Sequence, residues 1–214
     1  MDLSKQRIIV TGGAGFLGRC VQARLRARGV PESSVVVPRR RDFDLTTEDG
    51  VKRLYASAFG TAGPTLVLHM AAEVGGIGAN MERPADLYLD NLLMGTHVLE
   101  ATRRADTAKT VIVGTICSYP KFTPVPFAET SLWQGYPEET NAPYGVAKLV
   151  QLVQVQSNRA QYGQSAIYLM PTNLYGPGDK FNSSVSHVIP AIIKKCVDAK
   201  EAGADHIDVW GTGS

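Results

Sequence analysis

The sequence has little of what marks a disulfide-rich, nucleic-acid-binding or membrane-spanning protein. Its 214 residues include three cysteines, Cys20, Cys117 and Cys196, which are scattered and follow no zinc-binding spacing. Such cysteines favour reduced thiols and a cytoplasmic location. The formal net charge is +2, so the overall charge does not favour binding to nucleic acid or to an anionic membrane. No apolar run approaches the roughly 20 residues that span a bilayer, and residues 1–7 lack the apolar core of a signal peptide.

Short apolar runs alternate with helical stretches, which predicts a Rossmann-type, doubly wound parallel sheet in an α/β fold. The length suits one sizeable core and is too short for two full domains. The predicted strands are residues 7–11, 34–37, 65–69, 110–114, 165–170 (taken as the sixth) and 207–210. The first predicted helix follows the first strand and ends near Arg28. Further helices are predicted at residues 46–58, 84–104, 143–162 and 187–199, and loops at 73–78 and 120–143. Asn91, in mid-helix, indicates a specific hydrogen bond.

A glycine-rich turn, Gly12-Gly-Ala-Gly15-Phe-Leu-Gly18, joins the first strand to the first helix. A strand, a glycine turn and a helix in that order are the context of the dinucleotide-binding fingerprint. Gly12 permits the tight turn, Gly15 lets main-chain N–H groups approach a pyrophosphate, and Gly18 lets helix and strand pack closely. Phe16 and Leu17 belong to the same predicted site. The alternative is a glycine turn without a ligand, which the flanking elements disfavour.

The acidic residue that selects NAD is missing from its usual place, about twenty residues after the glycines. That place reads Pro38-Arg39-Arg40-Arg41, with no acid before Asp42. Guanidinium groups suit a phosphate dianion through forked, charge-assisted hydrogen bonds. Arg39 and Arg40 therefore favour NADP over NAD, the alternative being an arginine cluster solvated on a loop.

Tyr144 and Lys148 are four residues apart, which places them on one face of a predicted helix. The lysine charge is expected to lower the phenol's pKa from about 10, so that Tyr144 exchanges protons near neutral pH. This spacing also arises by chance between two solvated helix residues. The upstream glycine turn and a polar Thr115 at a strand end favour the catalytic interpretation.

Residues at the carboxyl ends of the other predicted strands are expected to face the same crevice. Ala71 and Ala72 leave space for a cofactor there, and Thr115 and Cys117 point toward it. A buried, inert thiol is the alternative for Cys117. His69 is interpreted as a packing residue at a strand end rather than as a catalyst.

With these residues assembled, the chain resembles the extended short-chain dehydrogenase/reductases and, among them, the GDP-L-fucose synthase family. The superfamily signal is TGGAGFLG, Thr115 and YGVAK, and the family signal is HMAAEVGGIGAN, GTICSYPKF, NAPYGVAKL, MPTNLYGPGDKFN and SHVIPAIIKK. Together these motifs cover nearly all of the sequence. The resemblance implies an NADP-binding domain at residues 1–180 and the start of a substrate-binding region at 181–214. We expect the family's smaller C-terminal substrate domain to be largely absent from the sequence.

The resemblance also implies roles at matching positions. It implies a reductase triad of Thr115, Tyr144 and Lys148, and an epimerisation base and acid, Cys117 and His187. Implied cofactor contacts are Lys148, Pro171, Asn173, Leu174 and His187, and implied substrate contacts are Asn173, Lys195 and Trp210. At 195 the expected residue is arginine, and lysine cannot give its forked contact.

The implied activity is NADPH-dependent 3,5-epimerisation and 4-keto reduction of GDP-4-keto-6-deoxy-D-mannose to GDP-L-fucose. The implied partners are the GDP-sugar and a second copy of the chain, with no metal, nucleic acid or membrane. Two alternatives stay open: another nucleotide-sugar epimerase or reductase, such as a GDP-heptose enzyme, and an NADP-binding module without turnover.

Overall fold

A computed structural model describes residues 1–181 and 186–209. The strands are β1 (Ile8–Thr11), β2 (Val35–Val36), β3 (Leu66–His69), β4 (Lys109–Val113) and β5 (Ala166–Leu169). They form one parallel sheet in the order β2-β1-β3-β4-β5. The α-helices are α1 (Phe16–Ala27), α2 (Glu48–Ser57), α3 (Ile77–Glu82), α4 (Pro84–Arg104), α5 (Ala142–Tyr162) and α6 (Val188–Ala202). Short 3-10 helices lie at Leu3–Lys5, Glu32–Ser34, Gly60–Ala62, Ile116–Ser118 and Glu129–Trp133.

Helices cover both faces of the sheet because successive strand residues point to opposite sides. In β1, Ile8 and Val10 pack with Leu25 of α1, whereas Ile9 packs against α2 and α4. Both faces of β1 are therefore buried, as expected for a central parallel strand. The fold class predicted from the sequence, a doubly wound parallel α/β sheet, is confirmed.

Three details differ from the predicted elements. Residues 77–82 form α3, whose first two residues belong to the predicted loop 73–78 and whose other residues were assigned to no element. The segment predicted as the sixth strand is β5, the fifth in the chain. Residues 207–209 are not a strand, since they pair with none of the described strands, and Trp210 lies outside the described residues.

The strand order places a binding crevice between β1 and β3. The chain moves from β1 to β2 on one side and then returns to β3 on the other side of β1. The connections that leave these two strands therefore diverge at their carboxyl ends, which opens a space for ligands there.

His69, the last residue of β3, is fully buried and ties β3 to β1. Its Nδ1 is hydrogen-bonded to Thr11 Oγ1 at 2.8 Å, and Thr11 Oγ1 also accepts the N–H of Ala71 at 3.2 Å. Burial, with a smaller contribution from the charge of Lys148, lowers the pKa of His69 to about 3. His69 is thus a neutral packing residue, as its place at the strand end suggested.

We expect His69 to make the fold acid-sensitive. Its folded-state pKa lies below the unfolded value of about 6.5, so the unfolded chain binds more protons between these values, and stability falls as pH falls through that window. Between pH 6 and 4.5 the wild type should lose about 2 kcal/mol more unfolding free energy than His69→Asn, which cannot protonate. Urea titrations of both proteins at the two pH values measure this difference. Equal losses would contradict the prediction.

Candidate active site

A cleft of about 540 Å³ lies at the carboxyl ends of β1, β3, β4 and β5. The turns that follow these strands and the first part of α5 form its walls. Its lining includes all the site residues predicted within the described chain except Lys195. These are Gly12, Gly15, Phe16, Leu17, Gly18, Arg39, Arg40, Ala71, Ala72, Thr115, Cys117, Tyr144, Lys148, Pro171, Asn173, Leu174 and His187.

The glycine turn has the geometry that a dinucleotide requires. Gly12 has φ +69°, and a Cβ there would lie 2.7 Å from the main-chain nitrogen of Ala71. A Cβ on Gly18 would lie 2.4 Å from the oxygen of Gly12, so glycine also allows α1 to pack against the turn. No side chain caps the N-terminus of α1 and no acid occupies its first turn, which leaves main-chain N–H groups for an anion. These residues fit a bound pyrophosphate.

The arginine cluster lies at the end of the cleft near β2. Arg39 and Arg40 are exposed and line the cleft. Arg40 forms ion pairs with Glu73, after β3, and with Asp90 of α4. The Arg39 side chain has no hydrogen bond or ion pair with the parts of the chain that the structure describes.

The turn after β4 presents a hydroxyl and a thiol to the cleft. Thr115 is buried and caps the 3-10 helix Ile116–Ser118, its Oγ1 accepting the N–H of Cys117 at 3.1 Å. The threonine hydroxyl proton is therefore available to donate to a ligand or to Tyr144. Cys117 is half-buried, forms no disulfide and lines the cleft.

Helix α5 approaches this turn so closely that only glycine fits at residue 145. A Cβ on Gly145 would lie 2.3 Å from the oxygen of Cys117. Ser118 Oγ fixes this contact by donating to the Gly145 oxygen at 2.8 Å. The Tyr168 hydroxyl separately ties α5 to β5 by donating to the Lys148 oxygen at 3.0 Å. Neither residue was among the predicted site residues: Ser118 lies within GTICSYPKF but was given no role there, and Tyr168 lies outside the quoted motifs.

Tyr144 and Lys148 both face the cleft. The sequence predicted a lowered pKa for Tyr144, and this prediction is wrong. Burial raises the pKa of Tyr144, a thiolate at Cys117 would raise it further, and a hydrogen bond with Thr115 opposes both. Burial lowers the pKa of Lys148, which is fully buried, to about 8. The prediction considered the charge of Lys148, four residues away, as the influence on the tyrosine pKa. In the structure, burial has the largest effect on the pKa values of both groups.

A pair of asparagines joins α3 to the start of α5. Asn80 Nδ2 donates to Asn141 Oδ1 at 2.7 Å, and Asn141 Nδ2 donates to Glu138 at 2.9 Å. Both asparagines line the cleft. Neither was predicted as a site residue: Asn80 lies in α3, which the sequence did not predict, and Asn141 precedes α5 without forming a side-chain capping hydrogen bond.

The loop after β5 closes the other side of the cleft. Arg19 of α1 holds it by donating to the Gly178 oxygen at 2.8 Å, while also donating to Ala14 at 3.1 Å. His187 precedes α6 at the N-cap position, makes no side-chain capping hydrogen bond with the described residues and is exposed. Lys195 is away from the cleft lining, and its ammonium donates to the Asp208 oxygen at 2.6 Å. Trp210, a further predicted substrate contact, lies outside the described residues.

Within residues 1–181 and 186–209, no group of three or more His, Cys, Asp or Glu side chains is arranged to hold a metal ion. None of the described helices is long and apolar enough to cross a membrane.

The parallel sheet, the glycine turn and the uncapped α1 define a dinucleotide-binding domain of the Rossmann class. The sequence profile of the NAD dependent epimerase/dehydratase family matches residues 8–214, and the chain belongs to this family.

Comparison with characterised proteins gives more specific similarities. The chain is 37% identical over 212 residues to the GDP-L-fucose synthase of Escherichia coli (strain K12), covering 99% of this chain and 64% of that protein. A GDP-L-fucose synthetase from Naegleria fowleri, solved with NADP bound, has a TM-score of 0.80 at 29% identity, covering 94% of this chain and 60% of that one. A GDP-6-OMe-4-keto-L-xylo-heptose reductase from C. jejuni has a TM-score of 0.82 at 25% identity, covering 95% and 60%. The chain thus spans less than two thirds of each.

Buried Lys148 should destabilise the chain, so its replacement should stabilise it. Its folded-state pKa of about 8 lies below the usual 10.5, so the unfolded chain binds more protons between these values, and stability rises with pH across this window. At pH 7, Lys148→Met should raise the free energy of unfolding by on the order of 2–3 kcal/mol. The difference between the two proteins should shrink as pH rises from 8 to 9.5. Denaturant titrations along this range test it; a variant less stable than wild type at pH 7 would refute the assigned burial penalty.

Proposed function

We propose that the protein, at its natural full length, converts GDP-4-keto-6-deoxy-D-mannose to GDP-L-fucose, using NADPH. The observation that carries the proposal is one cleft containing Thr115, Tyr144 and Lys148 together with Cys117 and His187. The first three suit ketone reduction, and the thiol and imidazole suit proton exchange beside the ketone. The similarity to GDP-L-fucose synthases supports the same reaction.

Epimerisation follows from the chemistry of the 4-ketone, which acidifies the protons at sugar carbons three and five. At each of these carbons in turn, Cys117 as a thiolate removes the proton and His187 as an imidazolium returns one from the opposite face; the thiol then loses a proton to solvent and the imidazole regains one before the second carbon reacts. The resulting enolate needs hydrogen-bond donors at its oxygen. Thr115, whose Oγ1 already accepts from Cys117 N–H, keeps its own proton for that oxygen.

Reduction uses the same carbonyl oxygen. NADPH, when bound, supplies a hydride to carbon four. Tyr144 gives its proton to the oxygen, so the ketone gains one hydride and one proton and becomes an alcohol. The raised pKa of Tyr144 suits a group that must stay protonated until this step. Lys148 supplies positive charge beside the phenolate that remains, which favours that product state.

The preference for NADP over NAD rests on three observations. Arg39 and Arg40 line the cleft near β2, where the ribose of a dinucleotide held on the glycine turn would lie. No acid stands before Asp42 in that turn. The similar Naegleria protein was solved with NADP.

We assign residues 1–180 to the cofactor-binding domain with the catalytic residues, and 181–214 to the start of the substrate-binding region. Helix α6 supports this boundary, because Pro190 is its only buried residue among those described. Asn173, Lys195 and Trp210 remain proposed substrate contacts. Lys195 requires a change from its present contact with Asp208 to reach the cleft.

A homodimer is the proposed assembly, formed through α4 and α5, which pack against each other. These helices expose Leu89, Val150 and Val153, and exposed apolar side chains of this kind can pair with a second copy. The free thiols of Cys20, Cys117 and Cys196 support a reducing compartment, and hence the cytoplasm.

A second candidate is a GDP-heptose reductase, which the C. jejuni structure favours by its overall similarity. A reductase without epimerisation needs Thr115, Tyr144 and Lys148 but no thiol and imidazole pair. The two candidates differ in the use of Cys117 and His187, and proton exchange separates them.

Tyr144→Phe should abolish reduction, because the ring remains but its proton donor is lost. Cofactor binding should change little. The full-length variant is assayed by NADPH oxidation with GDP-4-keto-6-deoxy-D-mannose, beside Tyr162→Phe, which alters an exposed tyrosine at the far end of the same helix. Near wild-type oxidation by Tyr144→Phe would show that it is not the acid.

Cys117→Ser should block proton exchange at carbons three and five but permit direct reduction of the unepimerised ketone. A general base contributes about 10²–10⁴-fold, so the exchange defect should be large. Deuterium uptake from solvent by the sugar, followed by mass spectrometry, measures exchange, and product analysis measures reduction. The matched control is Cys196→Ser, which replaces an exposed thiol on α6. Normal deuterium uptake by Cys117→Ser would exclude the thiol as the base and favour the reductase candidate.

A further inference from the structure

Arg40 is held by carboxylates on two neighbouring elements. Its guanidinium contacts Glu73 in the loop after β3, and its Nη2 lies 3.4 Å from Asp90 Oδ2 on α4. The side chains of Glu73 and Asp90 are 37% and 22% exposed, against 62% for Arg40. The arginine is thus the solvent-facing member of this three-residue group, and a ligand in the cleft reaches it from that side.

Asn91 fixes the position of Glu73 through its main chain. Asn91 Oδ1 accepts the Glu73 N–H at 3.1 Å, and Asn91 Nδ2 donates to the Glu73 oxygen at 2.9 Å. Asn91 is buried and also donates to Leu87 within α4. Because this clamp uses only main-chain atoms of Glu73, its carboxylate is available for Arg40 and is not required to hold the loop.

A third carboxylate lies near Arg40. Hydrogen bonds from Thr46 hold the pKa of Asp44 below its usual range, and the charge of Arg40 lowers it further. Asp44 and Glu73 both line the cleft. The positive charge of Arg40 is therefore partly compensated before any ligand binds, whereas Arg39 has no side-chain partner within the described residues.

We propose that Glu73 and Asp90 are specificity-determining residues that weaken the preference for NADP(H) by competing with the 2′-phosphate for Arg40. The inference rests on the proposed use of NADP(H). A phosphate dianion that binds Arg40 must displace or share two carboxylates and lie close to their negative charge. The 2′-hydroxyl of NAD(H) carries no charge and meets no such competition.

Removing one carboxylate should therefore strengthen binding of one cofactor only. Glu73→Gln keeps the shape of the side chain and the Asn91 clamp. It should tighten NADPH about two- to fivefold, the range for a partly exposed ion pair, and leave NADH unchanged. Asp90→Asn should act in the same direction. Dissociation constants are measured for the 214-residue chain by titration with NADPH and with NADH, without substrate.

Glu139→Gln is the matched control. It removes one negative charge from another exposed ion pair, with Lys121, whose residues do not line this cleft. It should leave the ratio of the NADPH and NADH constants at the wild-type value. A shift equal to that of Glu73→Gln would mean that net charge alone is responsible, and would overturn the proposal.

The role of Arg40 is tested by combining substitutions. In an Arg40→Ala background, Glu73→Gln should no longer tighten NADPH, since nothing remains to compete for. If Glu73→Gln still tightens NADPH binding in the Arg40→Ala background, the proposed competition for Arg40 is wrong. If wild type binds NADPH and Glu73→Gln leaves the ratio of the NADPH and NADH dissociation constants unchanged, this inference is wrong while the proposed function stands. If wild type binds neither cofactor, the proposed function fails with it.

Discussion

The proposed catalytic arrangement depends on the close approach of the first turn of α5 to the turn after β4. Gly145 allows the helix main chain to reach the oxygen of Cys117, and Ser118 bonds to the Gly145 oxygen. A larger residue at 145 would displace the helix by ångströms. Tyr144 and Lys148 would then separate from Thr115 and Cys117, although none of these four had changed. One glycine and one serine therefore set the geometry of a site in which they take no chemical part.

Lys148 shows that this geometry is maintained at a cost in stability. A fully buried ammonium is disfavoured, as the lowering of its pKa to about 8 records, and His69 beside it is kept neutral. A methionine would fill similar space without that penalty. The proposed function accounts for a lysine at such a place: in that mechanism it brings positive charge to the phenolate that Tyr144 leaves after giving up its proton.

Much of the fold and site could be predicted from the sequence, because those features depend on local patterns. Apolar runs, the turn from Gly12 to Gly18 and the spacing of Tyr144 and Lys148 carry their own signals. The ion pairs of Arg40 join residues 33 and 50 positions apart, which no local pattern specifies. The direction of the Tyr144 pKa could not be predicted either, since it depends on how deeply the tertiary structure buries the ring. Helix α3 is short and contains glycine, so its sequence does not distinguish it from a loop.

The strand order also imposes an order on the chemistry within the cleft. The turns after β1 and β3 bring glycines and alanines, which admit a cofactor closely, and the arginines after β2 lie beyond them. The turns after β4 and β5 bring the hydroxyl, thiol and imidazole groups. A dinucleotide whose phosphates lie on α1 would therefore extend one end toward Arg39 and the other toward Tyr144. In the proposed mechanism, cofactor selection and proton transfer are therefore separated along the sheet edge, so that substitutions at residues 39, 40 or 73 are expected to change the cofactor preference without disturbing the reacting groups.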